Sequence, residues 1–448
     1  MGFHEDRARV DRGPPCILHI YIYRRSVFRL RQILSFSKML CLVLSLLALA
    51  GLQSAVGRLP PHRPGVDCTV KAAGKGKDDS PTFISAMQAC STVVVPVGTT
   101  LNISTRLNTT GLKDTHLSLQ GTMRFNPDIP YWSENGFPFT YQNQVTFWIL
   151  GGKNLLVDGG GTLDGAGQDW YDAFAANASL LRPITLTLFQ ATNVLVQDIH
   201  YLNSPEWFHF VNEGKNVTFN HVTLNAASTS ANGASNTDGW DIYRSDQVTI
   251  KNSVINNGDD CVSFKVSWAW LMRMVKDTTN TLVTNLNCNG SHGISVGSLG
   301  QYPGEFDIVQ NVTAINIRMS NAENGARIKA FGGPGVGSGV VQNITFTNFI
   351  ESAVESPIVI DQCYETTTAN CSAFPSNVFI SDVSFNFISG TGTSGTVATL
   401  DCSPGARCSN ITVNNLDLAG PSGTAEYECQ NVNLTGNAVS LFGACTST

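Results

Sequence analysis

Asn343-Ile344-Thr345-Phe346 recurs along the chain with small changes, as Asn216-Val217-Thr218-Phe219, Gln247-Val248-Thr249-Ile250 and Asn410-Ile411-Thr412-Val413. The same frame, an Asn or Gln followed by alternating apolar residues and a polar turn, also begins at Asn154, Asn193, Asn280, Asn311 and Asn377. Its starts lie 39, 23, 31, 33, 31, 32, 34 and 33 residues apart. β-Branched and aromatic residues at period two, bounded by Gly, Asn, Asp or Ser, read as strands rather than helices. A fixed period of this size marks a solenoid, in which each coil buries its apolar side against the next. The predicted fold is all-β, a single-domain parallel β-helix. The 23-residue interval approximates a bare coil, so the longer intervals carry loops that project from it and shape a cleft.

Composition bounds what such a solenoid can do. Only 14% of the residues are charged, and the net charge is −6. Residues 1–57 hold seven Arg and Lys38 against Glu5, Asp6 and Asp11, so the chain without them carries −11. A protein this acidic is expected to bind no nucleic acid, and a polyanionic ligand has to meet a local cluster of cations. Residues 40–52 are almost wholly apolar, too short to span a membrane, and are followed by Ser54, Ala55 and Gly57, the pattern of a secretory signal. With Met39 as the start that stretch lies where a signal needs it. Residues 1–38 are then expected to be a gene-model extension, 39–57 a signal peptide and 58–448 the mature parallel β-helix domain, secreted, with no membrane attachment after signal removal and expected as a monomer.

Removing that leader leaves ten cysteines: Cys68, Cys90, Cys261, Cys288, Cys363, Cys371, Cys402, Cys408, Cys429 and Cys445. An even set suits disulfides in an oxidising compartment, and pairing in sequence order closes short local loops. No pair has metal-binding spacing or a flanking His, so no metal site is expected among them. Sequons stand at Asn102, Asn108, Asn177, Asn216, Asn289, Asn311, Asn343, Asn370, Asn410 and Asn433. In a secreted protein some of them are expected to carry glycans.

Four short motifs sit beside strand-like segments: Asn236-Thr237-Asp238, Gly258-Asp259-Asp260, Ser291-His292-Gly293 and Arg327-Ile328-Lys329. Asp238 and Asp260 are 22 residues apart, about one coil, so their turns should stack on neighbouring rungs. Asp260 and His292 are 32 apart, but that interval holds an insertion of roughly ten residues, and without it the histidine joins the same face. Three carboxylates then converge. Glycoside cleavage needs one protonated carboxyl for the leaving oxygen and one carboxylate to activate water. Crowded like charges raise at least one pKa, which supplies an acid and a base together. His292 in that company can share a proton with the acid. Arg327 and Lys329, two apart on a strand, point the same way and suit a substrate carboxylate. Taken singly, each has a plainer reading: a turn histidine, solvated aspartates or a calcium site, surface cations.

Together the four motifs, in this order and spacing, resemble the polygalacturonase family of pectin-degrading glycoside hydrolases, over roughly residues 65–445. The resemblance implies a right-handed β-helix and metal-independent cleavage with inversion, with no cofactor. It implies that Asp259 is the general acid, that Asp238 and Asp260 hold the attacking water, and that His292 maintains the acid's protonation. Arg327 and Lys329 would bind a galacturonate carboxylate, Tyr364 in Gln362-Cys363-Tyr364 would contact substrate, and Asn236 belongs to the same binding set. The runs Asn236-Thr237-Asp238-Gly239-Trp240-Asp241 and Gly290 to Gly300 look most like the fungal exo-acting members, which remove single galacturonic acid units from the non-reducing end of homogalacturonan. Xylogalacturonan, exo-rhamnogalacturonan and endo-acting enzymes share much of this sequence and stay open. A calcium-dependent pectate lyase or a non-catalytic cell-wall-binding β-helix would not explain acid, histidine and cation motifs on consecutive coils.

Three local features leave questions for the structure. Tyr131, Trp132, Phe137, Phe139, Tyr141, Phe147 and Trp148 either wall the cleft by stacking on sugars or cap the core. Residues 266–276, Val-Ser-Trp-Ala-Trp-Leu-Met-Arg-Met-Val-Lys, interrupt a coil between two catalytic motifs. They read either as translated intron or as an amphipathic loop, and a real loop there threatens the placing of His292 and of a Cys261–Cys288 bridge. The uncharged loop 332–339 leaves one cleft wall undefined.

Overall fold

A computed structural model describes residues 65–265 and 278–447. The proposed extension, the signal segment and the 266–276 insertion lie outside the described residues. The rest is a parallel β-helix: successive strands along the chain pair in parallel with their counterparts one coil on, from Asp67–Thr69 to Leu434–Thr435. One pairing, Phe137–Pro138 with the start of Val145–Asp158, is antiparallel. Among the described residues four short α-helices depart from a purely β chain. The first, Ser80–Ala89, buries Phe83 and Met87 against the opening coils.

Inside the coils, like residues stack in columns. Phe219, Ile250, Val283, Ala314, Phe346, Phe385 and Val413 are consecutive register partners, each fully buried. Phe346 and Phe385 lie ring on ring at 5.3 Å. Each large apolar side chain withdrawn from water contributes ~1.5–3 kcal/mol, so one column sets coil alignment as well as stability.

The asparagine at the start of each repeat has a backbone task. Asn154, Asn193, Asn216, Asn280, Asn311, Asn343 and Asn410 all take left-handed φ between 52° and 59°, a conformation that Asn tolerates better than most residues. Their amides also chain together. Asn343 Nδ2 donates to Asn311 Oδ1 at 2.8 Å, Asn311 to Asn280 at 3.0 Å, Asn216 to Asn193 and Asn193 to Asn154 at 2.9 Å each. One expected start needs correction. In the coil after Asn343 the ladder position is Asp382, at φ 56°, accepting from Asn410 Nδ2 at 2.6 Å, while Asn377 pairs with Ser338 earlier in the strand. Aspartate serves the same turn and the same hydrogen bond, so the frame there begins five residues later than the asparagine pattern suggests.

The ten cysteines form five bridges in sequence order: Cys68–Cys90, Cys261–Cys288, Cys363–Cys371, Cys402–Cys408 and Cys429–Cys445. Each closes a loop of 27 residues or fewer. The uncharged loop 332–339 is tied at both ends, Gly333 N–H to Phe374 O and Gly337 N–H to Gly300 O.

Candidate active site

Five strands of one sheet, Trp240–Tyr243, Val262–Phe264, Ile294–Leu299, Asn324–Phe331 and Ser356–Tyr364, pair in order. Trp240, Val262, Ile294, Ala326 and Ile358 are in register and point into the core. Asp238, Asp260 and His292 each stand two residues before the first three of these, so their turns stack in the same order. The residues between the charged ones lock that stack. Thr237 Oγ1 accepts from Gly258 N–H at 2.9 Å, and Asn257 Nδ2 reaches the carbonyls of Thr237, Asp259 and Asp260 within 3.0 Å. Ser291 Oγ donates to Asp259 O at 3.0 Å, and His292 N–H to the same carbonyl at 2.9 Å. Glycine follows the histidine because a Cβ at Gly293, at φ 114°, would lie 2.8 Å from Gly325 O in the next coil.

Asp238, Asp259 and Asp260 converge, with an oxygen of each within 4.8 Å of the others. Their partners differ. Asp260 is fully buried with a donor on each oxygen: Oδ1 accepts from Ser295 Oγ at 2.6 Å and Oδ2 from Lys329 Nζ at 2.8 Å. Asp259 Oδ1 lies 3.2 Å from His292 Nδ1 and accepts from Asp260 N–H at 2.8 Å; its Oδ2 accepts from Asn236 Nδ2 at 3.1 Å. Among the described residues Asp238's side chain has a single, long ion pair, 3.7 Å to Lys265 Nζ.

These differences set proton affinity. Burial, then repulsion from Asp241 and Asp259, pushes the Asp238 carboxyl well above the usual range. Burial pushes Asp259 up as well, but the His292 hydrogen bond and the charges of His292, Lys329 and Lys265 outweigh it and hold Asp259 below the ordinary carboxylate value. Burial opposes the imidazolium of His292, and the Asp259 hydrogen bond and charge overcome it, so His292 is raised. The surroundings of the cluster thus favour the protonated form at Asp238 and the ionised form at Asp259.

Arg327 and Lys329 reach the same region but not as a free pair. Lys329 is bound to Asp260, and Arg327 makes a 3.9 Å pair with Glu323. Both cations sit 5.4 Å from the ring centre of Tyr364, which joins them into one patch. Asn236 has protein partners at both ends of its amide, Asp259 at Nδ2 and Arg182 at Oδ1.

Several contributors carried no sequence signal of their own. Lys265 is buried between Asp241, at 3.0 Å, and Asp238, over the ring of Trp207. Asp241, fully buried, is pushed to about 7 by that burial despite the lysine. Glu206 borders the cleft beside Gln144, and burial raises it to about 7. Glu323 lies 3.4 Å from His292 Nε2. Asp241 lies on the strand Trp240–Tyr243 and Lys265 directly after Val262–Phe264, so strand alternation was the available clue to their outward facing.

The aromatic stretch divides. Trp132, Phe147 and Trp148 are fully buried in the main core, whereas Tyr141 and Phe139 join Trp207, Phe210 and Tyr243 in a second cluster. Next to that cluster Gln142, Asn143 and Gln144, with Leu181 and Arg182, border a cavity of about 430 Å³ whose floor holds Asp238, Asp259 and Asp260. That volume is of ligand-pocket size. The three carboxylates are also grouped closely enough to hold a cation. Lys329 and Lys265 already supply ammonium groups to Asp260 and Asp238, the charge a metal would bring.

Residues 86–441 match the glycosyl hydrolases family 28. The chain is 45% identical over 381 residues to an exopolygalacturonase of Cochliobolus carbonum, covering 81% of this chain and 83% of that one. It is 43% identical to a probable exopolygalacturonase X of Aspergillus fumigatus, covering 84% and 88%. Among solved structures, the endo-xylogalacturonan hydrolase of Aspergillus tubingensis superposes with a TM-score of 0.75 at 31% identity, covering 86% of this chain and 99% of that one.

Proposed function

The chain belongs to glycosyl hydrolases family 28, and from that premise we propose that it hydrolyses the α-1,4-galacturonosyl linkages of pectic homogalacturonan from the non-reducing end, releasing galacturonic acid. The observation that carries this reading is a three-carboxylate cluster that lines one cavity together with Lys329 and Tyr364, with Arg327 at 5.4 Å from the same tyrosine ring. The cluster provides acid and base, and the two cations are matched to a sugar carboxylate.

Asp259 is the proposed acid, with Asp238 and Asp260 holding the water. The difference in surroundings between Asp238 and Asp259 gives a route to that state. A galacturonate carboxylate arriving at Arg327 and Lys329 draws positive charge toward itself and adds a negative charge beside Asp259, raising its proton affinity. Asp238 then releases its proton and becomes a base as Asp259 takes one up and becomes an acid, with His292 imidazolium orienting the latter. The three carboxylates act as one coupled titrating unit. Their spacing is below the ~6.5–9.5 Å usual between acid and base in inverting enzymes. Inversion therefore calls for a water held by Asp238 and Asp260 jointly rather than by one distant base.

Secretion fits this substrate and is part of the proposal, with residues 39–57 as signal, 58–448 as the mature enzyme, and a monomer as the working unit. Among the described residues no helix is long and apolar enough to cross a membrane, and five disulfides suit an oxidising compartment.

The test is incubation of the protein begun at Met39 with polygalacturonic acid and EDTA, following reducing ends, viscosity and product size. Galacturonic acid released with little loss of viscosity is the expected result. Rapid thinning with mixed oligomers would make the enzyme endo-acting, and loss of activity in EDTA would overturn the metal-independent mechanism. The likeness to the xylogalacturonan enzyme favours one second reading, a xylose-substituted backbone as the better substrate, decided by kcat/KM on the two polymers.

A further inference from the structure

We propose that Arg182 is a positioning residue for the acid: it fixes the amide of Asn236 so that Asn236 donates to Asp259. The argument starts from what each group can offer. Guanidinium donates only, whereas an amide has one accepting and one donating end. Arg182 Nη2 donates to Asn236 Oδ1 at 2.7 Å, so the oxygen must face the arginine and Nδ2 must face Asp259 Oδ2, where it lies at 3.1 Å. Without the arginine no described residue on that side selects the orientation, and the flipped amide would turn an oxygen toward the carboxylate.

Arg182 is itself held rigidly. Nη1 donates to Pro205 O at 2.9 Å and to Ser235 O at 2.7 Å, and its guanidinium carbon lies 3.6 Å from the ring centre of Phe174 on the helix Gln168–Ala176. It is 2% exposed. This grip ties the loop before Trp207 to the residue before Asn236, so the arginine sets both where Asn236 stands and which way it faces. Held from Oδ2 by Asn236 and from Oδ1 by His292 and Asp260 N–H, the Asp259 carboxylate has one defined plane. The Oδ2 lone pair that Asn236 leaves unused is the place for the transferable proton. The charged groups around Asp259 are His292, Asp238, Asp260, Asp241, Glu206, Lys265, Lys329 and Arg182, and only Arg182 acts through the amide.

The inference rests on the proposed acid role of Asp259, so its test includes a readout that needs no substrate. In Arg182→Met the His292 imidazole, followed by NMR titration of the free protein, should titrate about half a unit lower than in the wild type, because the loosened Asp259 pairs with it less well. Activity on polygalacturonic acid should lose about tenfold to a hundredfold in kcat with KM within threefold. Arg182→Met combined with Asn236→Ala should be no slower than Asn236→Ala alone, since the arginine works through that amide. Phe174→Leu should move His292 in the same direction by less, and serves if Arg182→Met fails to fold. An unchanged His292 titration in a folded variant, or additive effects in the double variant, would overturn the positioning role. A wild type that releases no galacturonic acid would sink the proposed function while the His292 titration still judges Arg182.

Discussion

The asparagine ladder and the cleft sheet climb the same coils, and they use that repetition in opposite ways. Along the ladder each coil supplies a like residue, so amides find partners in copies of themselves, as Asn343 does with Asn311 and Asn311 with Asn280, or in an aspartate of the same column, as Asn410 does with Asp382. Along the cleft each coil supplies something different at an equivalent place: Asp238, then Asp260, then His292, with Arg327 and Lys329 on the next strand. The ladder is satisfied by sameness. The cleft is satisfied by complementarity, with Lys329 and Ser295 answering Asp260 and Lys265 answering Asp241. The lesson is that a solenoid can build a site without altering its backbone, by varying one outward position per coil while the inward column stays apolar.

The strongest way to break this contrast is to remove chemistry and leave geometry. Asp259→Asn should cut kcat by at least ~10³-fold with KM within threefold and no change in the unfolding midpoint. Equal loss in kcat and in folded protein would show that the cleft residue is structural like the ladder. Lys265→Met comes next, because it leaves Asp238 and Asp241 buried without their cation. A loss of ~3–5 kcal/mol in denaturant unfolding is expected, along with reduced activity. Complete tolerance would mean that the cleft does not depend on matched charge.

A ladder substitution should do the reverse. Asn311→Ala breaks a donor and an acceptor and places alanine at left-handed φ, costing about 1–3 kcal/mol of stability while the folded enzyme keeps its kcat. The last test carries the comparison to pH. Glu351 is buried with neither oxygen hydrogen-bonded among the described residues, and burial raises it well above the usual value. A carboxyl raised on folding binds a proton that the unfolded chain has lost, so its stability contribution falls as pH rises from the ordinary carboxylate range toward its folded value, by about 1.4 kcal/mol per unit. Burial places Asp241 and Glu206 at about 7, with the same sign up to that pH. Glu351→Gln should flatten the decline of the thermal midpoint between pH 5 and 8, and an unchanged slope would remove Glu351 from that account.

Much of this was readable from the chain because repetition is a property of sequence. The coil period, the strand character and the sequential bridges follow from local pattern, and Asp238, Asp259, Asp260 and His292 fall together because their spacing is that of the coil. The misplaced start at Asn377 shows the limit: the turn selects for left-handed φ and an amide acceptor, and Asp382 meets both requirements without being asparagine. Arg182 and Glu206 were illegible for another reason. They lie on projecting segments whose return to the cleft is set by tertiary packing against Phe174 and Gln144, and no period carries that information. The charge pairing of Lys329 was likewise hidden, since a strand pattern says which way a lysine points but not which carboxylate it will meet. The Cys261–Cys288 bridge and the 3.2 Å contact of His292 with Asp259 are both formed, while the 266–276 segment lies outside the described residues.

Because the site draws on Arg182 at one end and Tyr364 at the other, turnover samples a window in the middle of a one-dimensional stack in which each coil leans only on its neighbours. Fraying that begins at either terminus is silent in an activity assay until it reaches that window. Catalysis is thus a late reporter of damage to this molecule, and amide exchange in the coils after residue 400 would register wear long before the product does.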